Sequence, residues 1–463
     1  MKNSWFISRS TALALAACFT TTVALAQGSL TPPAGPPAPT MKSLDQVEAR
    51  TPVNTLPGDA TAVHIITLPG SYYLTGSITG NTSKAGIRIE AVNVTLDLNG
   101  YTIEAAVGST DGINSNAPGG ALVIRNGMIR GYTKGIKISS STQFHLQDLQ
   151  VFGSLTAGLD VDGKGTMERV SVMNSTVNGI LASATSRVQI RDCRVDGVSN
   201  CTAGISAALG DIKGCSVSTL TGGHPIGISC TSGTVDSCTV RGIDGTSTSE
   251  GTIGIHAATI SRCNVADISS TGLSVGITGT GISGSGTVAV DTKISDITAG
   301  GSAIGITVVH RVENCTVSTI SGGTVSAAGI TYCDEVLNSR ISGIAQDSNN
   351  TIGIDLPSHG RAVGNRLTGT GSAAIRVAAF GLVENNRISG GNTGILTDAT
   401  VQGVRIEGNH LSQLSTGIVA MHVTSVVVRN TAASTSTEFT VHAGVTVVDS
   451  TAIGTNPYAN IKQ

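Results

Sequence analysis

Lys137, Asp160 and Asp162 are the residues whose types and spacing best suit chemistry. A lyase or hydrolase needs carboxylates to hold a metal ion or act as general acid, with a cation nearby to shift a pKa. Asp160-Val161-Asp162 sets two carboxylates on one face of an extended strand, and Lys137 occupies the equivalent place one repeat earlier. Arg88, Glu90, Asn114 and Asn116 fall on the same face in the preceding repeats and would extend it as a binding surface. Asp160-Val161-Asp162-Gly163 is too short for an EF-type calcium loop. The same charges also read as a solvated sheet face whose ions pair across neighbouring strands.

Asp355, Arg376 and Asp398 form a second group of the same kind near the carboxyl end, and His256 stands alone on this face in mid-chain. Cysteines supply another pattern: Cys193, Cys215, Cys238, Cys263, Thr292, Cys315, Ser339, Asn365, Asn386 and Asn409 each lie two residues before an apolar residue. Thiols in file could hold a soft metal. The alternative is a stack of small side chains at a corner, with asparagine amides bonding along the axis further on. No Cys-x-x-Cys pair occurs, and parallel neighbours about 4.8 Å apart are poorly set for disulfides. Cys201, Cys230 and Cys333 lie off this file.

The elements that position these residues follow from a repeat. A glycine followed by Ile or Leu recurs from Gly86 through Gly112, Gly135, Gly158 and Gly179 to Gly417, at steps of 20 to 29 residues, with Ala374 standing in once. A period in this range, built on β-branched residues without helical spacing, indicates a solenoid with one repeat per coil. Units such as Cys238-Thr239-Val240-Arg241-Gly242-Ile243 place two apolar residues three apart, so the chain bends between them and each coil has three short strands. Parallel strands joined this way coil right-handed. The expected fold is all-β, a single-stranded right-handed parallel β-helix of about 15 coils and roughly 70 Å. Three residues after each glycine, Ile89, Ile138, Val161, Ala182, Ala207, Cys230, Ala257, Val308, Leu356, Val377 and Ala420 should face inward. Two after it, Arg88, Asn114, Lys137, Asp160, Ser206, Ser229, His256, Thr278, Thr307, Thr331, Asp355 and Arg376 should face water, with Leu181, Leu396 and Val419 as exceptions.

Composition agrees with repetition. Of 463 residues 59 are Gly, 13% are charged and 3% aromatic, yet 40% are hydrophobic, which sets the chain apart from a disordered one. Net charge is −2 with both signs scattered, so no basic patch recommends nucleic acid. Trp5 is the only Trp.

Residues 1–26 read as an export signal, with Lys2 and Arg9 before an apolar run and Ala24-Leu25-Ala26 as the cleavage site. Leu15-Ala16-Ala17-Cys18 also resembles a lipobox, which would leave Cys18 lipidated. No later stretch is long and apolar enough to span a membrane, so the mature chain is expected to be secreted, periplasmic or on the cell surface. Residues 27–43 make a Pro-rich linker, 44–84 an N-terminal cap and first strands with a short helix over 44–53, 85–440 the β-helix and 441–463 a C-terminal cap. An open solenoid end exposes unpaired edges and needs covering.

Pro69-Gly70-Ser71-Tyr72-Tyr73-Leu74-Thr75-Gly76, Val94-Thr95-Leu96-Asp97-Leu98-Asn99-Gly100 and Arg125-Asn126-Gly127-Met128-Ile129-Arg130-Gly131 resemble bacterial exported right-handed β-helix repeat proteins of the pectate-lyase-like superfamily, over about residues 60 to 440. The resemblance implies that substrate and calcium would lie on the Gly-Ile face, held by carboxylates, with a basic residue removing a proton. On it, Asp160 and Asp162 would hold calcium and Lys137 would join them in catalysis. The superfamily spans lyases, glycosidases, epimerases and tailspikes, so it specifies fold more than activity. Its polygalacturonases carry an Asp-Asp pair and Gly-His-Gly; this chain has Ser358-His359-Gly360 and no paired Asp. Two functions follow: a surface or extracellular module that binds cell-envelope polysaccharide or protein, or a polysaccharide lyase or related carbohydrate enzyme. A weaker third is a likeness to the periplasmic β-helix that assists copper loading of nitrous-oxide reductase, which would need surface thiol, Met or His ligands.

Overall fold

The computed structural model describes residues 50–248, 251–279, 287–346, 350–433, 435–441, 445–447 and 458–462. The chain divides into two units, Met1–Ala49 and Arg50–Gln463. The export signal, Cys18, the Pro-rich linker and the first residues of the expected cap lie outside the described residues. Of the helix expected over 44–53, the described part is a short strand, Thr51–Pro52, leading into a single 3-10 turn, Val53–Thr55. Among the described residues no helix is long and apolar enough to cross a membrane.

The second unit is a right-handed parallel β-helix. A coil such as Ser326–Thr331, Glu335–Leu337, Arg340–Gln346 shows the three strands, each paired in parallel with its counterpart one coil on, Thr351–Leu356, Arg361–Val363 and Arg366–Thr368. Pairing extends past residues 85–440 at both ends: Ala62–Ile66 pairs with Ala85–Ile89, and Ile461–Lys462 with Thr431–Ala433.

The glycine period has a steric cause. A Cβ on Gly158 would stand 2.3 Å from a methyl of Val172, and one on Gly227 would stand 2.4 Å from Val240 and 2.5 Å from the Gly254 carbonyl. The first sheet thus touches the inward valines of the third, and a side chain here would wedge the coil open. Between the paired apolar residues of the third strand the chain bends as expected. Thr219, between buried Val217 and Leu220, is left-handed at φ 55°, and Asp267 repeats this at φ 54°.

A second left-handed residue starts the corner before each cysteine of the file: Ser237 at φ 54°, Arg262 at φ 50° and Asn314 at φ 55°. The corner N–H is satisfied by the side chain one coil further on. Cys215 donates to Cys238 Sγ at 3.4 Å, Cys238 to Cys263 Sγ at 3.5 Å, Cys315 to Ser339 Oγ at 3.1 Å and Ser339 to Asn365 Oδ1 at 2.8 Å. The file runs on past Asn409 to Asn430 and Asn460, with N–H to Oδ1 distances of 2.9 Å from Asn365 to Asn430. What the corner requires is a small buried acceptor, which Cys, Thr, Ser and Asn all provide. The eight described cysteines are all buried and free.

Of the positions expected to face water, Thr307 and Thr331 are buried, hydroxyl against hydroxyl at 2.9 Å across neighbouring coils. Inward positions of the first strand are buried, with one departure. Val308 was expected inside and is 38% exposed. The strand Ser302–Thr307 stops at Thr307, Val308 turns left-handed at φ 55°, and Val309 takes the inward place.

Candidate functional site

The Gly-Ile face carries two polar concentrations. In the first, Asn114, Lys137 and Asp160 are register partners on successive coils, and Asp111 and Lys134 are register partners beside them. Lys134, rather than Lys137, forms the ion pair with Asp160. Asn114 Nδ2 donates to Asp111 Oδ2 at 2.5 Å. Burial raises the Asp111 carboxyl above its ordinary value, against the pull of the Asn114 amide, Lys137 and Lys134. Asp162, on the same side two residues beyond Asp160, accepts from Ser183 Oγ at 2.8 Å and Thr185 Oγ1 at 3.5 Å. Arg88 is held at the amino end by Asp59 at 2.7 Å and Glu90 at 2.9 Å. The Thr61 N–H and then Arg88 keep Asp59 well below the usual carboxylate range. Asn116 is exposed.

The structure therefore brings Lys137 beside Asp160 but separates their roles, and it adds two residues that the Gly-x-polar pattern passed over. Both precede the repeat glycine, Asp111 before Gly112 and Lys134 before Gly135, and that position was the available signal. Among the described residues no group of three or more His, Cys, Asp or Glu is placed to hold a metal ion. His256 lies between Ser229 and Thr278 on the adjoining coils, and burial lowers its pKa.

The second concentration joins Asp355, Arg376 and Asp398 as expected. Arg376 bonds Asp355 through both ends of its fork, Nε to Oδ1 at 2.8 Å and Nη2 to Oδ2 at 2.5 Å. These residues line a cleft of about 370 Å³ with Tyr332 and Val401. Tyr332 is 68% exposed at its edge, and nearby Phe380, 50% exposed, stacks on His359 with centroids 5.2 Å apart. Neither aromatic was singled out from the sequence, because each sits just past a strand end whose location depends on the coil.

Fold and face together define a β-helix protein with a polar, ribbed sheet surface. No family model matches the chain, and no curated protein matches it. Among solved structures it is similar to the A-module of the mannuronan C-5 epimerase AlgE4 of Azotobacter vinelandii, at 12% identity and a TM-score of 0.25, over 82% of this chain and 91% of that one. The A-module of AlgE6 from the same organism gives 11% and 0.24, over 85% and 91%. The Dettilon tailspike protein gives 12% and 0.22, over 70% and 60%. Identities and scores this low carry neither a residue nor an activity across.

Proposed function

We propose that the chain is an exported, non-catalytic β-helix that binds a polysaccharide along its Gly-Ile face. The observation that carries this reading is the commitment of the two candidate metal carboxylates: Asp160 is paired with Lys134, and Asp162 accepts from Ser183. Each carboxylate thus has a partner within the chain itself and needs no bound cation to satisfy it. Charges neutralised across coils leave a polar surface that hydrogen-bonds a chain without attacking it.

One observation favours the second reading, a polysaccharide lyase or related enzyme. Asp111, raised by burial, faces Lys137 and Lys134, which is the pairing of a proton-holding acid with a cation that acid–base catalysis uses. Incubation of the mature protein with acidic and neutral polysaccharides, with and without calcium, separates the two. Retarded migration in polysaccharide gels with no unsaturated product and no new reducing ends is the expected result. Product that disappears in Lys137→Ala and Asp162→Ala would overturn the binding reading and place a catalytic site on this face. Export is part of the proposal, and the mature N-terminus is expected at Gln27; a diacylated Cys18 would replace that with a lipid tether.

A further inference from the structure

We infer that the corner of the last coils is a subsite for an amino-sugar chain, with Tyr332 and Phe380 as stacking faces and Asp398 as the acceptor for the ammonium. This rests on the glycan-binding reading above and gives it a place and a ligand class. Four apolar side chains stand out along this corner: Val308 at 38% exposure, Tyr332 at 68%, Phe380 at 50% and Val423 at 46%. Backbone bonds tie the corner together from coil to coil. Tyr332 N–H donates to Asp355 O at 3.2 Å, His359 N–H to Ala379 O at 2.8 Å and Phe380 N–H to Gln402 O at 2.8 Å. Tyr332 is thereby level with Leu356 and lines the cleft, whereas Phe380 belongs to the His359–Phe380–Gly403 file, three residues further round the turn than the Val377 that pairs with Leu356.

Val308, Tyr332 and Phe380 stand at left-handed corners, as Thr219 and Arg262 do elsewhere. Their φ values are 55°, 53° and 58°, a region in which a bulky residue costs about 1–2 kcal/mol. Most left-handed positions elsewhere in the coils hold Gly, Asn or Asp, which relieve that cost. The Phe380 ring is fixed. It lies where a Cβ on Gly403 would meet it at 2.5 Å, and His359 stacks on it at an interplanar angle of 23°. Two coils separate Tyr332 from Phe380, about 9.6 Å along the axis at the strand spacing, and a glycan crossing the corner obliquely would meet both.

Charge selects the ligand. Arg376 is neutralised by its two bonds to Asp355, and the Asp398 side chain makes no hydrogen bond or ion pair among the described residues. Asp398 also lies within electrostatic reach of Arg376, so two carboxylates share one guanidinium and the cleft keeps a net negative charge, which repels a uronate and attracts an ammonium. Aromatic faces then take the apolar side of the sugar ring.

Calorimetric titration of the full mature chain with chitosan oligosaccharide, cello-oligosaccharide and oligogalacturonate tests this. Chitosan oligosaccharide is expected to bind best and oligogalacturonate not at all. Tyr332→Ala and Phe380→Ala should each weaken chitosan binding about tenfold. Asp398→Asn should reduce it to the level of the neutral oligosaccharide. Circular dichroism should be unchanged in all three variants, since the replaced side chains are exposed. Preference for oligogalacturonate, or chitosan affinity indifferent to Tyr332 and Asp398, would overturn the inference while leaving glycan binding intact. Absence of binding to any glycan would remove both.

Discussion

The corner file solves one problem with two chemistries. Thiols fill most of the file from Cys193 to Cys315, with Cys201, Cys230 and Cys333 buried beside it, and amides fill it from Asn365 to Asn460. In the amide half each side chain is used at both ends. Asn386 Nδ2 donates to Ala362 O at 2.8 Å and to Asn409 Oδ1 at 2.9 Å, while its Oδ1 accepts from the Asn365 N–H and amide. In the thiol half sulfur accepts the same N–H at longer range, and Cys238 Sγ–H reaches Asp236 O at 3.3 Å. Coil geometry is the same in both. The amide half gains stronger, chained hydrogen bonds, whereas the thiol half gains apolar volume and weak ones.

Alkaline pH should divide the two halves most sharply. Burial pushes Cys230 and Cys315 up to about 11 and Cys201 and Cys333 up to about 12, from an ordinary 9.0. Folded values above the unfolded one mean that this stability is whole below pH 9.0 and is lost as pH climbs toward 12, by about 1.4 kcal/mol per thiol per pH unit. Hydrogen exchange at rising pH should show residues 193–333 opening before 365–430; simultaneous opening would break the comparison.

Asn386→Leu should have the next largest effect, about 3 kcal/mol by urea unfolding, because it strands the Asn365 N–H in the core and removes the amide hydrogen bond to the Ala362 carbonyl. A loss near zero would mean that the amide chain is incidental. Cys238→Ala should cost about 1 kcal/mol, and Cys238→Ser should recover most of it, since Ser339 already accepts the Cys315 N–H in this way. An alanine variant as damaged as Asn386→Leu would show the thiol to be an equal partner.

Much of this architecture is legible in residue order. The Gly-Ile period, the bend between Val217 and Leu220, the inward file and most of the corner stack depend on contacts one coil away, and those recur at nearly constant separation. Val308 was misplaced because one left-handed residue after Thr307 ends the strand, and β-branched residues give no warning of that conformation. Lys137 was paired with Asp160 by register, yet Lys134 reaches the carboxylate, because a long side chain spans coils diagonally. Asn430 and Asn460 continue the file across 30 residues, longer than any step between the repeat glycines, so their place is visible only once Thr431–Ala433 and Ile461–Lys462 pair.

By itself the sequence determined the coil: its three strands, its glycine contact and its need for a small acceptor at one corner. Each of these is a local steric or hydrogen-bonding demand repeated in every turn. Tertiary structure alone decided which charges neutralise one another on the Gly-Ile face, and that Tyr332 lines one cleft with Asp398 while Phe380 stacks on His359. Those facts depend on where side chains end, and loops of unequal length between coils set that position.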